Sequence, residues 1–477
     1  MGGSSHQWYN ATKPAHIPRL IAGPEDQRSS SPRLWARAHQ GGAALRATAT
    51  AEAHGEALNQ PKQLINLLQE FSIPLIIGVL AGLAVANIDH HFYEELVDYH
   101  VFGESVKVFG RSVTAHFLIN EIFMVFFFGV AAKEITESVL PGGALNPIPK
   151  AINPLMGTMG GVLGPVGLYF LLTLVFYGGT DNFSEVANGW GIPTATDIAL
   201  AWLVARLVFG KGHPAVNFLL LLAVADDAIG LGIIAVFYPD PNHPVQPAWL
   251  LLTLGGMAVA YGMRRANVGF WPVYILIAGG MSWTGLSKSA VEPALALVVI
   301  VPFLPGPRVA LEMFTEEAHH DPALHHAAPA GNPQAHHHSP LDQFEHQLKL
   351  FVDVGLFFFA FANAGVAFGS INSVTAIVLV SLIVGKTLGV TSFSWVASRL
   401  GFPLPTGMQL KHLAVAGMIA GLGLTVALFV AGKAFADDSP FQDPAKMGAV
   451  LSAGVAALAF ATGAILKVKD GAGSRRP

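Results

Sequence analysis

Apolar stretches of about 20 residues, separated by short polar intervals, recur along the chain from residue 63 onward. That length crosses the hydrocarbon core of a bilayer as an α-helix. The pattern predicts about twelve spans, near 64–87, 115–140, 152–177, 194–208, 214–237, 247–263, 270–287, 289–304, 344–366, 373–396, 411–434 and 446–466. The polar segment 88–113 reads as an exposed loop or hairpin. Three further regions break the pattern. Residues 1–62 hold Arg19, Arg28, Arg33, Arg37 and Arg46 among Ser and Ala, with few acids before Glu52, and form an extension with the character of either a transit peptide or a plain tail. Residues 305–343 make the longest internal loop, rich in histidine (His319, His320, His325, His326, His336, His337, His338), and residues 468–477 a short basic tail. A solvated linker is the simpler reading of that loop, beside divalent-metal binding or pH sensing.

Lys and Arg favour one side of these spans. Counting connections alternately puts Lys62, Lys150, Arg206, Lys211, Arg264, Arg265, Arg308, Arg399, Lys411, Lys467, Lys469, Arg475 and Arg476 on the side of the N-terminus. The other side receives chiefly Lys107, Arg111, Lys288, Lys433 and Lys446. An even number of spans follows, with both termini on the cytoplasmic side, or on the stromal side if the extension is a transit peptide. Composition agrees with lipid as the solvent: 52% of residues are hydrophobic and 12% charged, about half the charge of a soluble domain. The chain has no cysteine, which excludes disulfides and thiol chemistry. Its net charge of −4 gives no case for nucleic acid.

Against this background four ionisable groups inside apolar segments are functional candidates: Asp197, the adjacent pair Asp226 and Asp227, and Lys386. Neighbours on a helix diverge by about 100°, so the two aspartates can serve one cavity with different partners. A buried carboxylate resists ionisation, and a second carboxylate beside it adds to that resistance. A bound Na⁺ favours the ionised form, so cation and proton compete for the same oxygens, and Thr196 and backbone carbonyls add hard ligands. A buried Lys386 needs a carboxylate partner or loses its proton, and Asp226 or Asp227 is the obvious partner; a fixed ion pair tying two helices is the plainer alternative. Asp353 is a further acid within a span, with no role assigned.

Glycine and proline suggest two interruptions, although close helix packing is the commoner use of glycines in a membrane helix. Gly191-Ile192-Pro193 precedes the short span 194–208, and the span 411–434 contains Gly417, Gly421 and Gly423. Interrupted segments in both halves point to the binding site of a transporter. Asp197 beside such a break would offset positive helix ends, and Lys386 negative ones.

The stretch from Gly191-Ile192-Pro193-Thr194-Ala195-Thr196-Asp197 to Ala225-Asp226-Asp227, the segment Gly385-Lys386-Thr387-Leu388-Gly389, and Phe359-Ala360-Phe361-Ala362-Asn363-Ala364-Gly365 together resemble the NhaA family of sodium/proton antiporters over about 63–467. The resemblance implies an all-α membrane protein of about twelve transmembrane helices, built from inverted repeats with two interrupted, crossed helices; the repeats come with the family and not from the residues. It implies electrogenic exchange of Na⁺ or Li⁺ for protons in pH and sodium homeostasis, without a cofactor. Asp227 would be the principal Na⁺ ligand with Asp226 beside it. Asp226 would carry a proton and pair with Lys386, while Asp197 and Thr196 would sit at the crossing. Glu134 matches an acid tied to pH response in the family, and Glu292 replaces a histidine with that role. A sodium-coupled symporter of a small organic solute is the alternative; an intramembrane aspartyl protease is disfavoured by the adjacency of the two acids. The expected partners are Na⁺, Li⁺, H⁺ and the bilayer, in a plasma, inner or plastid-type membrane; monomer and homodimer both remain open.

Overall fold

The computed structural model describes residues 73–140, 143–146, 148–239, 246–306, 339–436 and 438–471. The N-terminal extension, almost all of the histidine-rich loop and the end of the basic tail lie outside the described residues. The described chain is helical apart from one small hairpin.

The helices are α1 (Ile73–Ile88), α2 (His90–Val97), α3 (Ala115–Val139), α4 (Ile148–Tyr177), α5 (Phe183–Thr194), α6 (Ile198–Phe209), α7 (Pro214–Phe237), α8 (Leu250–Arg265), α9 (271–289), α10 (Pro340–Ala364), α11 (Ser373–Arg399), α12 (Leu410–Ile419), α13 (Leu424–Ala434) and α14 (Gln442–Ile465). Six of them (α3, α4, α7, α10, α11 and α14) are long and apolar enough to cross a membrane, and the bent pairs α5–α6 and α12–α13 bring the number to eight if each is one span. The pairs bend by 53° and 49°. Large apolar side chains stay exposed on the outer faces, such as Leu171, Leu174 and Val175 of α4 and Leu251 and Leu254 of α8. Lipid is the medium that accepts them. Between α2 and α3, strands β1 (Lys107–Val108) and β2 (Arg111–Ser112) form an antiparallel hairpin, within the segment read as loop or hairpin.

Two expected spans differ from the structure. The span at 194–208 is the second half of an interrupted pair whose first half, α5, begins at Phe183. The stretch 289–304 is not a regular helix. Ala290 adopts a left-handed conformation (φ 63°), and Pro293 and Pro302 lack the N–H that a helix interior needs, so only short 3₁₀ turns form at Pro293–Leu295 and Val301–Phe303. The side chains from Glu292 to Leu297 are buried in protein, the setting in which irregular backbone is tolerated at membrane depth.

Close packing sets the frame for the site. On α4, Gly160 and Gly164 face Gly385 and Gly389 of α11. A Cβ at Gly160 would stand 2.1 Å from the Gly389 carbonyl oxygen, and one at Gly164 2.4 Å from that of Gly385. The two backbones touch along this seam, as small residues four apart allow in membrane helices. Gly78 and Gly82 of α1 meet the carbonyls of Phe357 and Phe361 on α10 in the same way. Lys386 therefore projects from a helix whose position is fixed by main-chain contact.

Candidate functional site

The two interruptions cross. Residues 195–197 lie between α5 and α6, residues 420–423 between α12 and α13, and the Asp197 N–H donates to the Leu422 carbonyl at 2.6 Å. Asp197 is the N-cap of α6, its Oδ1 accepting from the Leu200 N–H at 3.1 Å. Its Oδ2 accepts from the Thr425 hydroxyl at 2.9 Å and from the Thr425 N–H at 3.4 Å, in the first turn of α13. One buried carboxylate thus meets the positive starts of both continuing half-helices, as the helix dipole favours.

Thr196 stands next to it. Its hydroxyl lies 2.7 Å from Asp226 Oδ2 and 2.8 Å from the Ala420 carbonyl, donating its one proton to either, and accepts from Lys386 Nζ at 2.8 Å. Lys386 forms an ion pair with Asp226 Oδ2, both side chains fully buried. The ammonium meets a carboxylate and a hydroxyl, so its tie to the negative end of α12 runs through Thr196. Asp227, the next residue on α7, diverges from Asp226 by about 100° around the helix. Its Oδ1 and the Oδ1 of Asp226 are buried without a hydrogen-bond donor. Two orphaned carboxylate oxygens on adjacent residues form an arrangement that a hard cation or a proton satisfies.

The three glycines divide in use. Gly417 lies within α12, against Thr387 and Val390 of α11. Gly421 and Gly423 belong to the break itself. A Cβ at Gly421 would meet the Leu382 carbonyl oxygen at 2.7 Å, and one at Gly423 would meet Leu382 Cδ2 at 2.8 Å and the Ala195 carbonyl at 3.3 Å. The outer half-helix α5 is pinned by tyrosines: Tyr238 accepts from the Gly191 N–H at 2.8 Å and donates to the Asn188 carbonyl at 2.8 Å, and Tyr169 donates to the Val186 carbonyl at 2.8 Å. Asn188 in turn donates to the Ala434 carbonyl at the end of α13, at 2.6 Å.

Glu134 and Glu292 fall in separate charged groups. Glu134 lies on α3 among Lys133, Glu137, Glu345 and Lys349, and its charge also reaches Asp227. Lys133 pairs there with Glu137 at 2.7 Å and with Glu345. Glu292 pairs with Lys433 at 2.9 Å; Lys433 also holds Glu121 at 2.9 Å, and Arg111 of the hairpin reaches Glu121 at 3.2 Å. Glu121 and Glu134 are about 20 Å apart along α3, at 1.5 Å per residue. Lys133, Glu137, Glu121 and Lys433 were not singled out from the sequence as site residues. They are ionisable groups in apolar segments, the signal that marked Asp197. Asp353 is half-buried on α10. Among the described residues, no group of three or more His, Asp or Glu side chains has the geometry of a metal centre.

Residues 62–465 match the Na⁺/H⁺ antiporter 1 family. The chain is 55% identical over 407 residues to a protein of Geobacter metallireducens named Na⁺/H⁺ antiporter NhaA, a match spanning 85% of this chain and 98% of that one. It is 53% identical over 409 residues to the protein of the same name in Geobacter sulfurreducens, covering 86% and 99%. It is 40% identical over 437 residues to that of a Jannaschia species, covering 85% and 98%.

Proposed function

Because this chain belongs to the Na⁺/H⁺ antiporter 1 family, of the NhaA type, we propose that it is a multi-pass secondary transporter exchanging Na⁺, or Li⁺, for protons at the crossing of its two interrupted helices. The observation that carries the assignment of the site is the pair of donor-free buried oxygens on Asp226 and Asp227, beside the Lys386 ammonium.

Asp227 serves as the principal ligand. Its carboxylate takes either a proton or a cation, and binding of one excludes the other. A cation that also draws on Asp226 competes with Lys386 for the same oxygen. Lys386 and Thr196 hold Asp226 while the site carries no cation, so the buried charge is never without a partner. Without a cation, one proton sits on Asp227 and a second in the Asp226–Lys386 pair; a cation that draws on both carboxylates displaces both protons. More protons than cations therefore move per cycle, which makes the exchange electrogenic. Asp197 remains a structural charge at the helix starts throughout. Glu134 lies where its charge acts on Asp227, and it is the residue we assign to pH response at that approach. This exchange needs no cofactor, and its consequence for the cell is control of pH and sodium. The Lys and Arg bias supports termini on the cytoplasmic face of a plasma or inner membrane, or on the stromal face of a plastid-type one.

The test is dissipation of a preset pH gradient in proteoliposomes on addition of Na⁺ or Li⁺, scanned over pH. The native protein collapses the gradient, and Asp227→Asn and Asp226→Asn abolish the effect while the protein stays folded. A folded native protein that moves no protons with either cation would sink the reading. Retained exchange in Asp227→Asn would move the cation site elsewhere.

A further inference from the structure

Two sets of helices meet at Lys433. On one side α3 and α9 are tied together, since the Trp283 indole N–H donates to the Glu121 carbonyl at 3.2 Å, and the segment bearing Glu292 follows directly on α9. On the other side α13 is held to the helix crossing by Thr425–Asp197 and to α5 by Asn188–Ala434. Lys433, in the last turn of α13, spans the divide with 2.9 Å contacts to both Glu121 and Glu292. The charged group at the other end of α3 does not do this: Lys133 and Glu137 lie on α3 and Glu345 on α10, none of them on an interrupted pair.

We propose that Lys433 is the closing bridge of a gate on the face that carries the 107–112 hairpin. Access from that face to Asp227 requires the ammonium to leave Glu292. The mouth it opens is lined by two carboxylates that attract a monovalent cation. Lys433 acts as a positioning residue for the exchange and takes no proton from the cargo.

Three features make this bridge the part that moves. A lysine ammonium is a point charge on a flexible stem and holds two carboxylates without a fixed fork. Its departure strands little, because Glu121 keeps Arg111 at 3.2 Å and Glu292 keeps the Ala294 N–H at 3.2 Å. The same half-helix carries Thr425 near its start, about 12 Å away at 1.5 Å per residue. A change at the cation site that alters the Asp197–Thr425 contact therefore tilts the element that ends in Lys433. A static brace has no need of this linkage.

The inference rests on the exchange reading, so its test uses a readout independent of transport. The chain has no cysteine, and Val426 on α13 is buried and lies seven residues from Lys433, on the same face of the helix, so Val426→Cys gives a lone shielded thiol on the side the bridge covers. Its labelling by a membrane-impermeant maleimide, applied from the hairpin face of oriented vesicles, reports opening. Lys433→Met with Glu292→Gln removes the bridge and leaves no lone buried charge; labelling rises at least about tenfold. Lys433→Arg, which grips carboxylates in a planar fork, slows it at least about threefold. Native labelling rates in both folded variants would overturn the proposal. If the double variant does not fold, Lys433→Arg decides: slower labelling upholds the gate, and a native rate refutes it. A protein that passes this test yet exchanges no cation would refute the transport reading and leave the gate standing.

Discussion

Thr425 donates its hydroxyl to Asp197 Oδ2 at 2.9 Å, and through that contact one carboxylate caps two half-helices that come from distant parts of the chain. Each N-cap is worth roughly 1 kcal/mol, so Asp197→Ala is expected to cost about 2 kcal/mol and to raise the Na⁺ concentration for half-maximal exchange. Asp197→Asn keeps one of the two acceptor oxygens without the charge and should lose less. Thermal unfolding in detergent, beside Na⁺ titration of exchange, separates the two effects. An alanine variant as stable as the native protein would show that the caps are filled by other groups.

The seam between α4 and α11 leaves no room for a methyl group. Gly160→Ala forces the backbones apart, because its Cβ would stand 2.1 Å from the Gly389 carbonyl oxygen. Overpacking of this kind costs about 1–3 kcal/mol. It should also move Lys386, so exchange is expected to fall by more than the folded fraction does. Measuring transport per folded molecule checks this; a proportionate loss would mean that Lys386 holds its place regardless of the seam.

Tyr238 holds the end of α5 by accepting from the Gly191 N–H and donating to the Asn188 carbonyl. Tyr238→Phe removes both bonds and leaves a buried N–H with no acceptor, a loss of about 1–3 kcal/mol. Amide hydrogen exchange at 189–191 should quicken while that of α7 stays slow. Unchanged protection at Gly191 would show that the tyrosine is no anchor.

His213 caps α7 with Nδ1, accepting from the Ala215 N–H at 3.1 Å, and its ring packs against Phe209 and His412. It lies in the loop before the span, and burial pushes its imidazole below the usual value of 6.5. The folded state thus favours the neutral ring. The resulting stability is full above the unfolded pKa of about 6.5 and is lost as pH falls from there through the folded value, since the unfolded chain then binds the extra proton. His213→Asn keeps a good N-cap without the titration. Its melting temperature should fall less than that of the native protein between pH 7.5 and 5.5; equal falls would assign the acid sensitivity to other groups.

Much of this was legible from residue types alone. Asp197, Asp226, Asp227 and Lys386 declare themselves because charge is scarce in apolar segments, and the glycine and proline punctuation locates both breaks. The half-helix α5 stayed hidden because half a crossing needs few apolar residues, and Asn182, Ser184, Glu185 and Asn188 read as loop. Its stability comes from Tyr169 and Tyr238, which no local pattern announces. The run 289–304 is as apolar as a helix, yet two prolines and a left-handed alanine turn it into buried irregular chain; hydropathy measures burial and not conformation. Lys433 was visible as a charge, but that it joins Glu121 to Glu292 depends on which helices lie side by side.

The four glycines between α4 and α11 also constrain how such a chain can change over time. In an ordinary core a larger residue on one side is offset by a smaller one opposite. Here the nearest atoms in the way belong to the main chain, carbonyl oxygens at Gly160, Gly164 and Gly389 and the Pro165 backbone at Gly385, and every residue carries such atoms. No second substitution in the facing helix can restore the fit, so variation in this protein should collect on its lipid-facing side chains and leave the seam that carries Lys386 unaltered.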